Sequence, residues 1–373
     1  MQKKIIVLAL AAAFAMPAFA DTANVTVYGA VNLSAEQINT GDSASGAKGA
    51  NAFKVSSNVT KFGLKGAQDL GDGVSAIWQI EQQVDVDDAG GTGSGKNTLA
   101  TRNSFVGLAD KSMGTVQLGK IDTPYKAATR SLDAFGDSLA DNRTLMGGGK
   151  NKSAEQSFDG RDGNQIAYTS PDLGGLTLAL AYVAGAESNT ATTVNQGSET
   201  SFGAMYKVGD LYAGLGYAVH SFGTAASGTF AGTDGQHESA GKIGIGYKMA
   251  DLYLSAIYEK TSDSLSAGSA KYDHNAVYVS AKYDLSNTNT VKIAYTKASE
   301  VNSASNTGAT QTSLGFDHKL AKSTSVYALY TVLNNGDAAN YILTDAGSTG
   351  GGTAIPGVGA KVSAFALGMK HAF

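Results

Sequence analysis

The chain contains no cysteine, which rules out disulfide stapling and thiolate metal sites and suits an oxidising compartment. It has only 4 prolines; Pro124, Pro171 and Pro356 fall at predicted strand ends or in loops, where no hydrogen-bond ladder is interrupted. Beyond the N-terminus, no stretch reaches the ~18 apolar residues of a membrane-spanning helix. Arginine is scarce: Arg102, Arg130, Arg143 and Arg161 stand against 24 lysines. A surplus of positive charge is also missing. Of 28 basic residues, removal of Lys3 and Lys4 with a leader leaves 26 against 32 acidic ones, a net charge of −6. That balance argues against a nucleic-acid partner, whose phosphates call for a clustered basic surface.

The leader is legible from its parts. Lys3 and Lys4 precede an apolar run from Ile5 to Met16, and Ala18, Phe19 and Ala20 form a small-x-small cleavage site. Residues 1–20 read as a signal peptide, and the mature chain, 21–373, is expected outside the cytoplasm.

What the chain has in quantity is alternation. Leu176, Leu178, Leu180 and Tyr182 alternate with Thr177, Ala179 and Ala181; Ile243, Ile245 and Tyr247 alternate with Lys242, Gly244 and Gly246. Period two marks the two faces of a strand. One face is bulky and apolar with no second apolar layer to cover it, which a lipid bilayer would supply. The other is small, rich in the chain's 47 glycines and mildly polar, as a wall lining water would be. Sixteen strands are predicted, at 24–37, 53–70, 73–87, 99–111, 113–121, 160–171, 174–185, 198–209, 210–221, 238–250, 251–262, 272–285, 288–300, 310–321, 322–333 and 360–373.

Their connections alternate too. Tyr206 to Tyr212 and Tyr247 to Tyr253 are the same tight hairpin written twice, whereas 186–200, 222–236, 262–271, 300–310 and 334–359 are long polar loops. Short turns on one side and long loops on the other describe an outer-membrane barrel, and sixteen strands leave an aqueous lumen. Tyr206, Tyr247 and Tyr283, beside the short turns, fit an interfacial aromatic girdle. The fold class is therefore all-β: a 16-stranded antiparallel transmembrane β-barrel.

One segment, about 122–159, is too long to be a plain connection. In a wide barrel it can fold inward and narrow the pore. Strand parity turns Lys61, Lys65, Glu81 and Arg161 towards the lumen, since a cation facing mid-membrane lipid costs roughly 2–4 kcal/mol, and Arg102, on a neighbouring strand, is read as an inward cation with them. With Arg130, Asp133 and Asp137 on the inward segment, these form the candidate pore constriction, cations on the wall facing carboxylates on the loop across a narrow gap.

Catalysis and metal binding find little support. His220, His237, His274, His318 and His371 are scattered over different strands with no serine or acid motif beside them in sequence. Asp85, Asp87 and Asp88 read as a solvated acidic loop, so neither cofactor nor metal is expected. A substrate-specific channel or a surface adhesin or receptor remains the alternative. Tyr28, Tyr212, Tyr253, Tyr278 and Tyr327 point inward by parity but form no visible track.

Several motifs carry a family resemblance: VTVYGAVNL from Val25, TKFGLKGAQDL from Thr60, TRNSFVGL from Thr101, GTVQLGK from Gly114, RDGNQIAY from Arg161, and the terminal Phe373. In this order they resemble the trimeric general-diffusion porins of Gram-negative outer membranes, of the neisserial and β-proteobacterial kind. The resemblance implies a homotrimer in the cell outer membrane, passing small hydrophilic solutes and ions. It implies contact with outer-membrane lipid and lipopolysaccharide, and delivery by the barrel-assembly machinery, with Phe373 as the assembly signal. It places the family's wall-arginine cluster on Lys61, Arg102 and Arg161 and its loop acids on Asp133 and Asp137. Lys61 stands where an arginine is usual, and Ala30 where some members have a lysine.

Overall fold

The computed structural model describes residues 25–86, 99–147, 157–185, 197–223, 235–263, 273–301, 304–343 and 357–373. The leader expected at 1–20, Asp87, Asp88 and part of the 122–159 segment lie outside them. Seventeen strand segments follow in order: β1 (Thr26–Asn39), β2 (Asn51–Ser57), β3 (Lys61–Gly71), β4 (Val74–Gln83), β5 (Ser104–Asp110), β6 (Gly114–Asp122), β7 (Arg161–Thr169), β8 (Leu176–Ala184) and β9 (Ser198–Val208). The second half continues with β10 (Leu211–Ser221), β11 (His237–Met249), β12 (Leu252–Asp263), β13 (Asn275–Asp284), β14 (Asn289–Ala298), β15 (Ala309–Ala321), β16 (Thr324–Asn335) and β17 (Lys361–Ala372). A helix, α1 (Pro124–Arg130), and a 3-10 turn, Asn142–Thr144, lie between β6 and β7.

These segments make sixteen staves. Both β2 and β3 pair with β1, Ser57 opposite Leu33 and Lys61 opposite Ala30, so they are two halves of the predicted strand 53–70. The break has a local cause. Val59 takes a left-handed φ of 53°, and the displaced backbone wraps Asn32. The Asn58 N–H donates to the Asn32 carbonyl at 2.7 Å and the Thr60 Oγ1 accepts from the Asn32 N–H at 3.0 Å.

Each stave pairs antiparallel with its neighbour in sequence, and β17 returns to β1. Closure reaches the last residue: the Gly29 N–H donates to the Phe373 carbonyl at 3.0 Å, and the Phe373 N–H donates to the Gly29 carbonyl at 3.1 Å. The Phe373 ring covers the outward face of Gly29, occupying the space a Cβ there would need. A closed cylinder leaves no ladder edge, the condition for placing strands in hydrocarbon.

The outer face is apolar and open. Val106, Leu118, Ile243, Ile293, Leu314 and Leu367 are each more than half exposed, with no protein layer over them. Tyr206, Tyr247 and Tyr283 do lie exposed at the short-turn ends. A second aromatic band, Tyr217, Tyr258, Tyr295, Tyr330 and Phe365, is exposed towards the long loops. Between the two bands runs the hydrophobic belt. Among the described residues no helix is long and apolar enough to cross a membrane; the strands do the crossing.

Neighbouring residues on β6 test the two faces directly. Leu118 is exposed outward, while Gln117 is half-buried on the lumen side. Leu118→Arg should destabilise the barrel by roughly 2–4 kcal/mol in denaturant titrations from lipid vesicles, and Gln117→Arg by less than about 1 kcal/mol. Equal costs would mean the parity assigned here is wrong.

Candidate functional site

The segment following β6 turns into the barrel and lies on its inner wall. Thr123 starts α1 as its N-cap, its side chain accepting from the Lys126 N–H, with Pro124 in the first turn where a missing N–H is harmless. The helix rests on β9, β10 and β11, and glycine is what lets it approach. A Cβ at Gly203 would meet the Pro124 carbonyl, one at Gly214 the Ala128 carbonyl, and one at Gly244 the Leu132 side chain. The small inner face was expected to line water. Over these strands it is instead a trough that seats the helix backbone.

Beyond α1, Leu132, Phe135, Leu139, Leu145 and Met146 are buried against inward residues such as Ala276, Ala294, Leu333 and Ala364. This cluster is the apolar core of the molecule, and it lies inside the cylinder. Wall side chains hook the segment's backbone along its length. The Ser201 Oγ accepts from the Tyr125 N–H at 3.0 Å, the Tyr212 hydroxyl donates to the Ala128 carbonyl at 2.7 Å, and the Ser255 hydroxyl donates to the Leu132 carbonyl at 2.7 Å. Glu259, fully buried on β12, grips both ends: its carboxylate accepts from the Tyr125 hydroxyl at 2.7 Å and from the Gly147 N–H at 2.8 Å.

The segment also clasps itself. Arg130 bonds Asp137 at 2.7 Å and Asp141 at 2.7 Å and reaches Asp133 at 3.5 Å, while Arg143 bonds Asp141 at 2.8 Å. Two guanidinium forks on one carboxylate fix the chain's course from α1 to the 3-10 turn, which Asp141 caps through the Arg143 N–H. Burial works against ionisation of Asp141, but Arg130 and Arg143 outweigh it and hold its carboxyl well below the usual range. Burial, together with Asp141 beside it, pushes Asp133 up to about 6.

Across the lumen, Glu81 is the hub of the wall. It accepts from Arg102 at 2.6 Å, pairs with Lys61 at 3.1 Å and accepts from the Tyr28 hydroxyl at 3.0 Å. Lys65 lies 5.2 Å from the Tyr28 ring centroid. Arg161 pairs instead with Asp122 at 3.0 Å, which also holds Lys126 of α1 at 2.7 Å.

The structure thus gathers Lys61, Glu81 and Arg102 into one group and Arg130, Asp133 and Asp137 into another. Asp133 does not face the wall cations; its buried carboxylate accepts from the Tyr278 hydroxyl at 3.0 Å. Asp137 remains 42 % exposed at its side chain. Sequence reasoning places Asp122, Asp141 and Arg143 on the inward segment without giving them a role, and does not single out Glu259. Arg143 carried a usable signal, being one of only four arginines; Glu259 carried only its inward parity.

One histidine is less isolated than its sequence neighbours imply. Cross-strand pairing puts Glu238 and Glu199 opposite His220, at 2.8 and 3.4 Å from its ring nitrogens, and Phe158 stacks on the ring at 4.3 Å. The group is about 1 % exposed and fastens the segment's far end to the wall.

The chain was compared with known proteins. The family model described as Gram-negative porin matches residues 7–338. Outer membrane porin protein 32 of Delftia acidovorans is 28 % identical over the full length of both chains. The major outer membrane protein P.IB of Neisseria gonorrhoeae is 29 % identical, covering 75 % of this chain and 70 % of that one. Among solved structures, the anion-selective porin from Comamonas acidovorans superposes with a TM-score of 0.73 at 24 % identity, covering 94 % of this chain and 100 % of that one, and so shares the fold.

Glu259 offers the sharpest test of the seat. Glu259→Ala removes both hydrogen bonds to a buried carboxylate, weakening the seat by roughly 3 kcal/mol or more. Single-channel recordings should then show larger and noisier conductance with unchanged far-ultraviolet circular dichroism. Wild-type conductance and noise would show that the segment is held without it.

Proposed function

The chain belongs to the Gram-negative porin family, and from that premise we propose how its lumen filters. It is an outer-membrane porin, a water-filled channel for the passive diffusion of small hydrophilic solutes and ions. The inward segment at about 122–159 is its constriction. Lys61, Lys65, Arg102 and Arg161 line one side of the gap, and Asp137 with Arg130 forms the loop side. Asp133 acts as an internal brace.

The pore prefers anions. The observation that carries this is the charge near the gap: Lys61, Lys65, Arg102 and Arg161 on the wall, with Lys126 on α1, stand against Glu81, Asp122 and Asp162. Below the loop, Lys282, Lys292 and Lys370 add to the excess, with Asp317 pairing Lys292 at 2.9 Å. A ring of net positive charge lowers the barrier for anions and raises it for cations. The solved fold neighbour is described as anion-selective, and the lumen charges support the same sign here.

The inward tyrosines support no sugar-specific slide. The hydroxyls of Tyr28, Tyr212, Tyr278 and Tyr327 are bonded to Glu81, Ala128, Asp133 and Asn32, so they fasten wall and loop. Nor does the His220 group support an enzyme, since it is closed to substrate. The functional unit is a homotrimer delivered by the barrel-assembly machinery and embedded among outer-membrane lipid and lipopolysaccharide; the closing role of Phe373 supports it as the assembly signal.

The zero-current potential across a potassium chloride gradient tests the sign. Wild type should lie towards the chloride equilibrium potential, and Lys61→Ala and Lys65→Ala should each move it towards zero. A wild-type potential on the potassium side would refute the anion preference, and no change in Lys61→Ala would remove that residue from the filter.

A further inference from the structure

The inward segment ends at Asp159, two residues before β7 begins at Arg161. There its carboxylate meets Lys242, which reaches inward from β11 to place its Nζ 2.5 Å from the Asp159 Oδ1. Solvent is almost absent: the lysine side chain is 3 % exposed and the aspartate 8 %. A pair so enclosed has given up the hydration of two charges, and their attraction at contact need not make up the loss. Lys126 borders the same spot but is engaged with Asp122 at 2.7 Å.

Two further groups complete the setting. Glu259, the direct cross-strand partner of Lys242 on β12, brings a second carboxyl group to the same inward face. The Tyr125 ring covers the amine, its centroid 4.0 Å from the Lys242 Nζ, while its hydroxyl donates to Glu259 at 2.7 Å. Tyr125 and Glu259 are both fully buried. Asp159, Lys242 and Glu259 together line a cavity of about 10 Å³, room for a single water and no more.

We propose that Lys242 and Asp159 condense into an amide, a covalent bridge between the inward segment and the wall, with Glu259 as the proton carrier. The ion-pair contact sets the amine nitrogen roughly 3–3.5 Å from the Asp159 Cγ, the separation of a near-attack pair. Groups fixed in this way react as though each were present at roughly 10⁵–10⁸ M, which is what free amines and carboxylates in water lack. One ammonium proton of Lys242 passes to the Asp159 carboxylate, leaving a neutral amine beside a neutral acid. The nitrogen lone pair attacks Cγ; Glu259 takes a second proton from the nitrogen and hands it to the departing hydroxyl, and the C–O bond breaks. An ammonium and a carboxylate become one amide and one water, and Glu259 ends as it began. The product removes both charges from an enclosure that solvates neither. It fastens the segment's far end by a bond, where α1 and the Arg130 clasp are held by hydrogen bonds and ion pairs.

Intact-mass spectrometry before and after folding tests this, independently of conduction. The mature chain held in urea should have its full mass, and after refolding into detergent it should be lighter by one water. Trypsin should then release a branched peptide joining residues 153–161 to residues 208–248, uncut at Lys242. Lys242→Met should keep its full mass after refolding to the same circular dichroism spectrum, and Glu259→Gln, which preserves the shape of the site, should lose water at least tenfold more slowly than wild type. The wild-type measurement stands by itself even if a variant fails to fold. A folded wild type of full mass would overturn the proposal, as would a bridge from 153–161 to any other lysine. Loss of water from Glu259→Gln at the wild-type rate would overturn the proton-carrying role given to Glu259.

Discussion

Every backbone N–H and C=O within hydrocarbon must find a partner in the chain itself, because lipid offers none. This architecture answers by returning its last residue to its first strand. The two hydrogen bonds between Gly29 and Phe373 finish the ladder between β1 and β17 at the periplasmic end. Glycine at 29 leaves room for the terminal ring over the seam. With the ladder closed, the outer wall is free to be apolar and the inner wall free to be chosen for another purpose.

That purpose is to hold a second object. The barrel has no core of its own, and its buried apolar residues cluster where the inward segment meets the wall. Glycine and alanine on the inner face give room to the segment's backbone, while Ser201, Tyr212, Ser255 and Glu259 anchor it. The Arg130, Asp141 and Arg143 clasp then fixes the segment's shape independently of the wall. Shape comes from within the loop and position from the barrel, so the gap between them has a defined width.

The fold was legible because its constraint acts on every residue in turn. Alternation alone located all sixteen staves, and the contrast of short and long connections oriented them. It missed the break at Val59, since a left-handed residue leaves no period-two signature. The site was legible only in part. Parity told which way Lys61, Lys65 and Glu81 point, but pairing across strands decides what they meet. Arg102, just before β5, has the parity of the outward Val106 and Leu108 and still turns in to Glu81. Asp133 shows the difference: placed on the inward segment by sequence, it turns away from the gap to Tyr278 and Arg130. His220 makes the same point, because its two glutamates come from the strands on either side. The glycine-rich face was ambiguous for a physical reason. Small side chains suit a wall against water and a wall against another backbone equally well.

The central claim is a closed cylinder with a water-filled, partly obstructed lumen, and electrical conduction addresses it most directly. The mature chain, refolded and shown to be β-structured, should raise the current across a planar bilayer in discrete steps of equal size, proportional to voltage over a moderate range. A correctly folded, membrane-inserted protein that leaves the bilayer electrically silent would contradict it.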